Sequence, residues 1–541
     1  MTPPGRTTSA VRVLILLTAA VAAVIIFQAL PWGPWAGSDS VAYIEAARNL
    51  ANGRGLVTVQ PSGEIQPLSL RPPLYSILLG GMAKLGVGFF QAARCADAGL
   101  MAVLIVAVGW AALASMRDPA IALTLGLGLA TSSVLIDAYT GVMTEPLALT
   151  LGSLCLLLAI GSSQRGSSNR LAASAILGAL ALLARYSGIV FPVVGLITIL
   201  AFTRTSLRRR LGAAAIYALV SLGPFAAWSL AIGRRNAAVG EFQLPQQGLW
   251  EATRPLRAAA ATIPWNWLPF SEALGPVSYP IRLAALAGVC AMVLVLIALG
   301  LVRIRRSRAP SASRSPAFQL AAVFALLSAL SAAFVGATYL LVEYPKPALD
   351  DRILSPVYLG AMIAVLAALH FSLGALGWRR AAWIVPSTVA ILSVLSNLTA
   401  TTSLLRELHD DGRGYTARTW HFPGILEDVA AIPASVPLIS NDVDAIMLYL
   451  DRPAYRIPEL EGRQFPDSFT TFGQVPEDGV QRLFREQGAA LVLFSSIRGQ
   501  FIELYGDGAD DRLRAFSDGL EVAADRWDGV IYYYPESGPP D

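Results

Sequence analysis

The sequence predicts a mainly α-helical, polytopic transmembrane bundle of about 11 spans, followed by a C-terminal extracytoplasmic α/β domain. Three observations carry this. The 541 residues are 55% hydrophobic and only 14% charged, against about 25% charged in a soluble domain. The apolar residues fall in runs of span length, separated by short polar segments. After about residue 402 the long runs stop and charged residues return.

Taken in order, apolar windows place spans at 11–30, 92–115, 119–136, 145–162, 171–185, 188–203, 211–232, 281–302, 317–342, 353–373 and 381–401. Arg6 and Arg12 precede the first run, but PWGPW follows it rather than a small-x-small cleavage site, so it reads as an uncleaved span. The shorter run 72–88 is broken by Pro72, Pro73 and several glycines and is assigned to the membrane interface. If the N-terminus lies inside, the inner segments hold Arg6, Arg12, Arg117, Arg165, Arg170, Arg204, Arg208, Arg209, Arg210, Arg303, Arg305, Arg306, Arg308, Arg314, Arg379 and Arg380. That excess of basic residues in short segments fixes the orientation. The Ser/Arg/Pro stretch 303–316 is then a cytoplasmic linker.

The membrane module is taken as 1–402, with outer loops 31–91 and 233–280, and the outer domain as 403–541. In that domain VPLIS (436–440) and ALVLFS (490–495) read as buried strands. DAIMLYL (444–450) and GVQRLFREQ (479–487) read as helices, and 521–535 as a strand pair. The loop 233–280 carries Trp250, Trp265 and Trp267, either an interfacial aromatic belt or a lid over a substrate.

Several function classes drop out. A net charge of +4 over this length speaks against nucleic acid as a partner. Cys95, Cys155 and Cys290 all lie in apolar runs, which gives no disulfide framework. His370, His409 and His421 are too few for a multi-histidine metal site, and no P-loop, dinucleotide turn or HExxH occurs.

The chemistry gathers in the outer loops. Asp39 follows the first span. Beyond it Tyr43, Ala46, Ala47 and Leu50 share one helical face, and Glu45, Arg48, Asn49 and Asn52 the opposite one. This predicts an amphipathic helix lying along the interface, ended by Gly53 and Gly55, with Asp39 either its N-cap or a reactive carboxylate. Asp137, Tyr139, Thr144 and Glu145 fall in the next outer loop, and Arg185 and Tyr186 in a tight outer turn. Glu343, Lys346, Asp350, Asp351 and Arg352 fall in a third. Each alone reads as an interfacial anchor. Together they predict one cavity in which carboxylates supply a base or hold a divalent metal, and arginines hold phosphate.

At these residues the chain resembles the GT-C-type polytopic glycosyltransferases that use lipid-phosphate sugars. Protein O-mannosyltransferases and lipid A aminoarabinose transferases belong to that group. The resemblance lies in the order of SDSVAYIEAARNLANGRGL, RPPLYSILLGGMAKLG, MTEPLALTLGSLCLLL, LLARYSGIVFP, DDRILSPVYLGAMIAVLA and ISNDVDAIMLYLDRPAYRIP. It implies that Asp39 is the catalytic base, that Arg71 with Pro72 and Pro73 is the basic Pro-Pro element, and that Glu145 is a second functional acid. It also implies that Arg352 lies near the donor phosphate. Arg185 joins Arg71 and Arg352 as a phosphate ligand. Tyr43, Asp137, Tyr186, Glu343, Asp350 and Asp351 are candidates for the acceptor or sugar site. Relatives carry an acid directly before the basic Pro-Pro pair; here Ser69 and Leu70 stand there, with Glu64 the nearest acid. A second first-loop carboxylate and a metal requirement therefore stay open.

The expected reaction is inverting transfer from a polyprenyl-phosphate sugar to a lipid, glycan or protein hydroxyl at the cell membrane, with no certain cofactor. Two other classes compete. A lipid or solute transporter would place charges at mid-membrane between repeated halves, whereas these cluster at one face. A silent envelope scaffold would be expected to lose residues of the Asp39 and Arg352 types.

Overall fold

The computed structural model describes residues 4–68, 71–233, 253–268, 278–306, 315–341, 349–422, 424–457, 483, 487–517 and 519–533. Their contacts divide the chain into two compact units: residues 1–31, 93–234 and 242–410 in one, and 32–92, 235–241 and 411–541 in the other.

In chain order, α1 (Pro4–Gln28) leads to a segment holding α2 (Ser38–Ala51), a hairpin of β1 (Val57–Val59) and β2 (Ile65–Pro67), and α3 (Leu74–Lys84). The helical unit continues with α4 (Phe89–Met116), α5 (Pro119–Ala130), α6 (Ser133–Ala138), α7 (Glu145–Arg165), α8 (Ser168–Ala184), α9 (Val190–Phe202) and α10 (Leu207–Gly233). It ends with α11 (Arg254–Asn266), α12 (Tyr279–Arg306), α13 (Pro316–Leu341), α14 (Ser355–Ala375) and α15 (Ala381–Asp410). Each expected span meets a helix. Among the described residues seven of these helices are long and apolar enough to cross a membrane, and three shorter apolar ones accompany them. The chain is a multi-pass membrane protein.

Two expectations change. The run 119–136 is not one helix. Thr131 ends α5, and the Ser132 hydroxyl accepts the Leu135 N–H at 3.3 Å to start α6. Polar side chains that bond their own backbone compete with helix continuation, so a composition window reads straight through the break. The last span also runs on past 401, to Asp410.

The helical unit packs through small residues. Without a hydrophobic driving force between helices in lipid, close backbone approach does the work. Gly360 of α14 shows this: a Cβ there would stand 2.8 Å from the Phe324 carbonyl of α13. Between α7 and α8 the Ser174 hydroxyl donates to the Cys155 carbonyl at 2.7 Å, and Cys155 Sγ lies 3.2 Å from the Tyr217 hydroxyl of α10.

The second unit is α/β. After α16 (Ile425–Ala431) come β3 (Leu438–Ser440), α17 (Val443–Leu450), β4 (Tyr455–Arg456) and β5 (Ala490–Phe494). Then follow α18 (Ile497–Tyr505), α19 (Ala509–Ser517), β6 (Glu521–Arg526) and β7 (Gly529–Tyr533). The sheet order is β4-β3-β5-β7-β6. β3 is parallel to both β4 and β5, while β7 is antiparallel to β5 and β6. β5 is buried along its whole length, as its unbroken apolar run requires. Ile439, Leu491, Leu493, Ile497 and Phe501 form the core. The helix expected at 479–487 lies mostly outside the described residues.

α2 is not an amphipathic surface helix. Tyr43, Ala46 and Ala47 of its apolar face and its polar Glu45 and Asn49 are buried, with Leu50 half-buried. The polar face meets partners inside the unit: the Val59 N–H donates to Glu45 Oε1 at 2.6 Å, and Asn49 Nδ2 donates to the Val57 carbonyl at 3.0 Å. Helical spacing finds two faces but not what covers each of them.

Candidate active site

Two charged clusters hold the predicted residues, one in each unit. In the helical unit Glu145 opens α7 and its side chain is only 3% exposed. Arg185, at the C-terminal end of α8, places Nη1 2.9 Å from Glu145 Oε2. Arg352, in the turn before α14, places Nε 3.4 Å from Glu145 Oε1. A buried carboxylate is costly unless paired, and here two guanidinium groups meet it. Arg185 also donates to the Thr144 hydroxyl at 3.3 Å and the Ser187 hydroxyl at 3.0 Å. Asp350 shapes the Arg352 turn by accepting the Ile353 N–H at 2.8 Å, and its carboxylate lies 3.8 Å from Arg352 Nε. The side chains of Arg185 and Arg352 stay 25% and 15% exposed.

Asp351 turns elsewhere: it accepts the Trp267 indole N–H at 2.8 Å. Burial pushes its carboxyl up from the usual range, the indole bond opposes this, and Asp137 and Asp350 add to the rise. Trp267 also stands edge-on to Tyr358, with ring centroids 5.3 Å apart. Asp137 is half-buried at the end of α6. Tyr186 packs edge-on against Phe225 at 5.7 Å. Glu343 and Lys346 lie outside the described residues, as does Trp250.

In the second unit Asp39 is the second residue of α2. Gly37 is the N-cap, so the capping reading of Asp39 is corrected. Arg71 donates to Asp39 Oδ1 through Nη2 at 2.7 Å and Nε at 3.2 Å. The Asp39 side chain remains 49% exposed. The Arg71 guanidinium lies 5.9 Å from the Tyr43 ring centre, and Tyr43 meets Tyr75 edge-on at 5.4 Å. Pro72 and Pro73 lead directly into α3, with Pro73 as its N-cap. Glu64 is exposed at the β1–β2 turn.

Three buried acids were missed from sequence. Asp97 in α4 is fully buried, and among the described residues neither carboxylate oxygen has a hydrogen-bond partner. An acid inside a membrane-length helix is itself a signal that the sequence carried. Glu45 is pushed up to about 8, chiefly by burial, against the Val59 N–H that favours its anion. Asp444, in the first turn of α17, is 4% exposed and lies 3.9 Å from Arg456. Among the described residues no three His, Cys, Asp or Glu side chains gather as a metal-holding group.

The fold can be set beside solved structures. Apo ArnT from Cupriavidus metallidurans matches 96% of this chain and 97% of its own, at 18% identity and a TM-score of 0.51. The fold is of the GT-C type. ArnT from the same organism bound to undecaprenyl phosphate matches over the same shares at 17% identity, with a TM-score of 0.49. The mycobacterial arabinofuranosyltransferase AftD matches 96% of this chain at 17% identity and a TM-score of 0.54. This chain spans 40% of AftD's length. No protein-family model and no curated protein matches the sequence. The likeness is therefore one of fold, at low sequence identity.

Proposed function

We propose that this protein is a membrane glycosyltransferase that moves a sugar from a polyprenyl-phosphate donor to a hydroxyl of a lipid, glycan or protein acceptor. The observation that carries the reading is the Arg185–Glu145–Arg352 cluster at the ends of apolar helices, within a GT-C fold. Two guanidinium groups suit phosphate oxygens, and Glu145 holds them at a fixed spacing between substrates. ArnT binds undecaprenyl phosphate; a lipid phosphate of that class is the proposed donor carrier here. Asp39 is the proposed base, with Arg71 orienting it.

In the reaction the acceptor hydroxyl loses its proton to Asp39, and its oxygen forms a bond to the anomeric carbon. The bond from that carbon to the phosphate oxygen breaks, and the electron pair leaves with the lipid phosphate. Arg185 and Arg352 are the proposed ligands of the lipid phosphate. A single displacement inverts the anomeric centre. The proposed orientation keeps the N-terminus in the cytoplasm and the α/β unit outside the cell membrane.

Polyprenyl-phosphate binding in proteoliposomes tests the cluster. Arg185→Ala and Arg352→Ala should each weaken it by about tenfold to a hundredfold, the range for a hydrogen bond to a charged group. Arg185→Lys should recover only part, since an ammonium cannot make the forked contact. Parental affinity in both alanine variants would overturn the assignment.

A further inference from the structure

Within the α/β unit, α2 and α17 run side by side in the same direction. At one end the Ser38 side chain stands near the Asp444 carboxylate and favours its charged form. At the other, Arg48 of α2 donates to the last carbonyls of α17, Met447 at 3.2 Å and Leu448 at 2.9 Å, and lies 2.6 Å from Asp451. The two N-terminal turns therefore share one end, and each carries an aspartate at its second residue, Asp39 and Asp444.

The segment after α15 pins the same end. The Tyr415 N–H donates to the Ala36 carbonyl at 2.8 Å, directly ahead of the Gly37 cap of α2. The Tyr415 hydroxyl donates to Asp442, the N-cap of α17, at 2.7 Å. The Thr416 hydroxyl donates to the Pro34 carbonyl at 3.0 Å. Asp444 is almost fully buried against Arg456 of β4, itself 5% exposed, and lies within charge range of both Asp39 and Arg71. A buried pair of this kind is a poor source of stability but a strong constraint on geometry. The proposed function uses Asp39 and Arg71 and gives Asp444, Arg456 and Tyr415 nothing to do.

We infer that Asp444, held by Arg456, is a positioning residue for Asp39: through Ser38 it fixes the first turn of α2, so that the sheet domain sets the aim of the proposed catalytic carboxylate. Asp444 touches no reacting atom in this scheme. Tyr415 does the same work from the backbone side, tying the entry of α2 to the cap of α17. The inference rests on the reading of Asp39 as the base, and it assigns the α/β unit a part in the reaction besides capping.

The experiment compares the full-length protein in lipid with Asp444→Ala, Asp444→Asn, Asp444→Glu and, as a surface control, Asp510→Ala, whose partner is the exposed Arg498. Two readouts are taken. One is kcat and donor KM with labelled polyprenyl-phosphate sugars. The other is amide hydrogen exchange over residues 37–42, which needs no turnover. Asp444→Ala should lower kcat by about tenfold to a hundredfold, the scale of a misplacement near 1 Å, with donor KM within about twofold. Exchange in the first turn of α2 should quicken. Asp444→Glu should restore part of both, and Asp510→Ala should match the parent. If Asp444→Ala does not fold, Asp444→Asn, which keeps the acceptor for Ser38, is judged on the same two readouts with a smaller expected loss. Parental exchange in the Asp444 variants overturns the inference whatever the rate does, and so does a parental kcat in an active enzyme. A parent that turns over no donor sinks the proposed function, while the exchange arm still decides the coupling.

Discussion

At Glu45, one buried oxygen accepts the Val59 N–H and the other has no hydrogen-bond partner among the described residues. Burial raises this carboxyl to about 8, with Asp451 and Asp444 opposing its charge and Arg48 and the Val59 N–H favouring it. The folded protein therefore holds a proton that the unfolded chain releases near the ordinary carboxylate pKa. Folding stability should fall as pH rises through the window from about 4.5 to about 8, by at most about 1.4 kcal/mol per unit, and level off above it. Thermal melts across that range should show the slope, and Glu45→Gln should flatten it; an unchanged slope in the variant would reject the assignment. Glu145 makes the opposite case, a carboxylate held between two arginines. Glu145→Ala should cost about 1–3 kcal/mol, less than a wholly buried pair because both arginines are partly exposed. Chemical denaturation at neutral pH checks this, and a loss below the error of the fit would contradict it. The positions of Asp39, Glu145, Arg185 and Arg352 were legible as acids and arginines at span ends, and that of Arg71 through the resemblance of its Arg-Pro-Pro stretch. Glu45 and Asp444 were not, because their burial comes from partners distant in sequence. Spacing on α2 put Glu45 on a polar face, and only β1 and α17 show that face to be covered.

Among the elements, long apolar runs announced their helices because a span needs about twenty apolar residues whatever packs on it. What the runs concealed was their punctuation. α5 and α6 read as one span because Thr131 and Ser132 are small enough not to interrupt an apolar window, although their hydroxyls bond backbone at the break. α11 was not expected inside the outer loop, yet it delivers Trp267 to Asp351. The α13–α14 contact offers the sharpest element test. At Gly360 a methyl group would meet the Phe324 carbonyl at 2.8 Å and the Ser328 N at 3.0 Å, backbone atoms that cannot turn aside. Gly360→Ala should therefore push the helices apart and cost about 1–3 kcal/mol, read as a lower melting temperature in detergent. Gly374→Ala, where a Cβ meets nothing within 4 Å, should leave the melt unchanged. Equal melts for the two variants would refute the close approach.

For the whole molecule, the alternation of basic and basic-poor segments predicts a definite orientation. In a chain whose three cysteines are replaced by serine, a cysteine at Ser167, between α7 and α8, should be labelled only from the cytoplasmic side. One at Asp507, between α18 and α19, should be labelled only from the other. Labelling of both from one side would overturn the orientation. The fold class was readable from hydropathy and motif order, and the GT-C likeness bears it out at 18% identity with ArnT. The sheet order was not readable, since pairing of β3 with β5 joins segments about fifty residues apart that sequence alone does not align. The central claim is sugar transfer with Asp39 as base. The most direct measurement gives purified protein in lipid a labelled polyprenyl-phosphate sugar and compares it with Asp39→Asn, scoring label moved from the donor alongside donor binding. The account predicts transfer by the parent, and loss of about a hundredfold or more in the variant with donor binding retained. Equal transfer by both proteins would contradict it and leave the Asp39–Arg71 pair a structural tie between the first turn of α2 and the entry to α3.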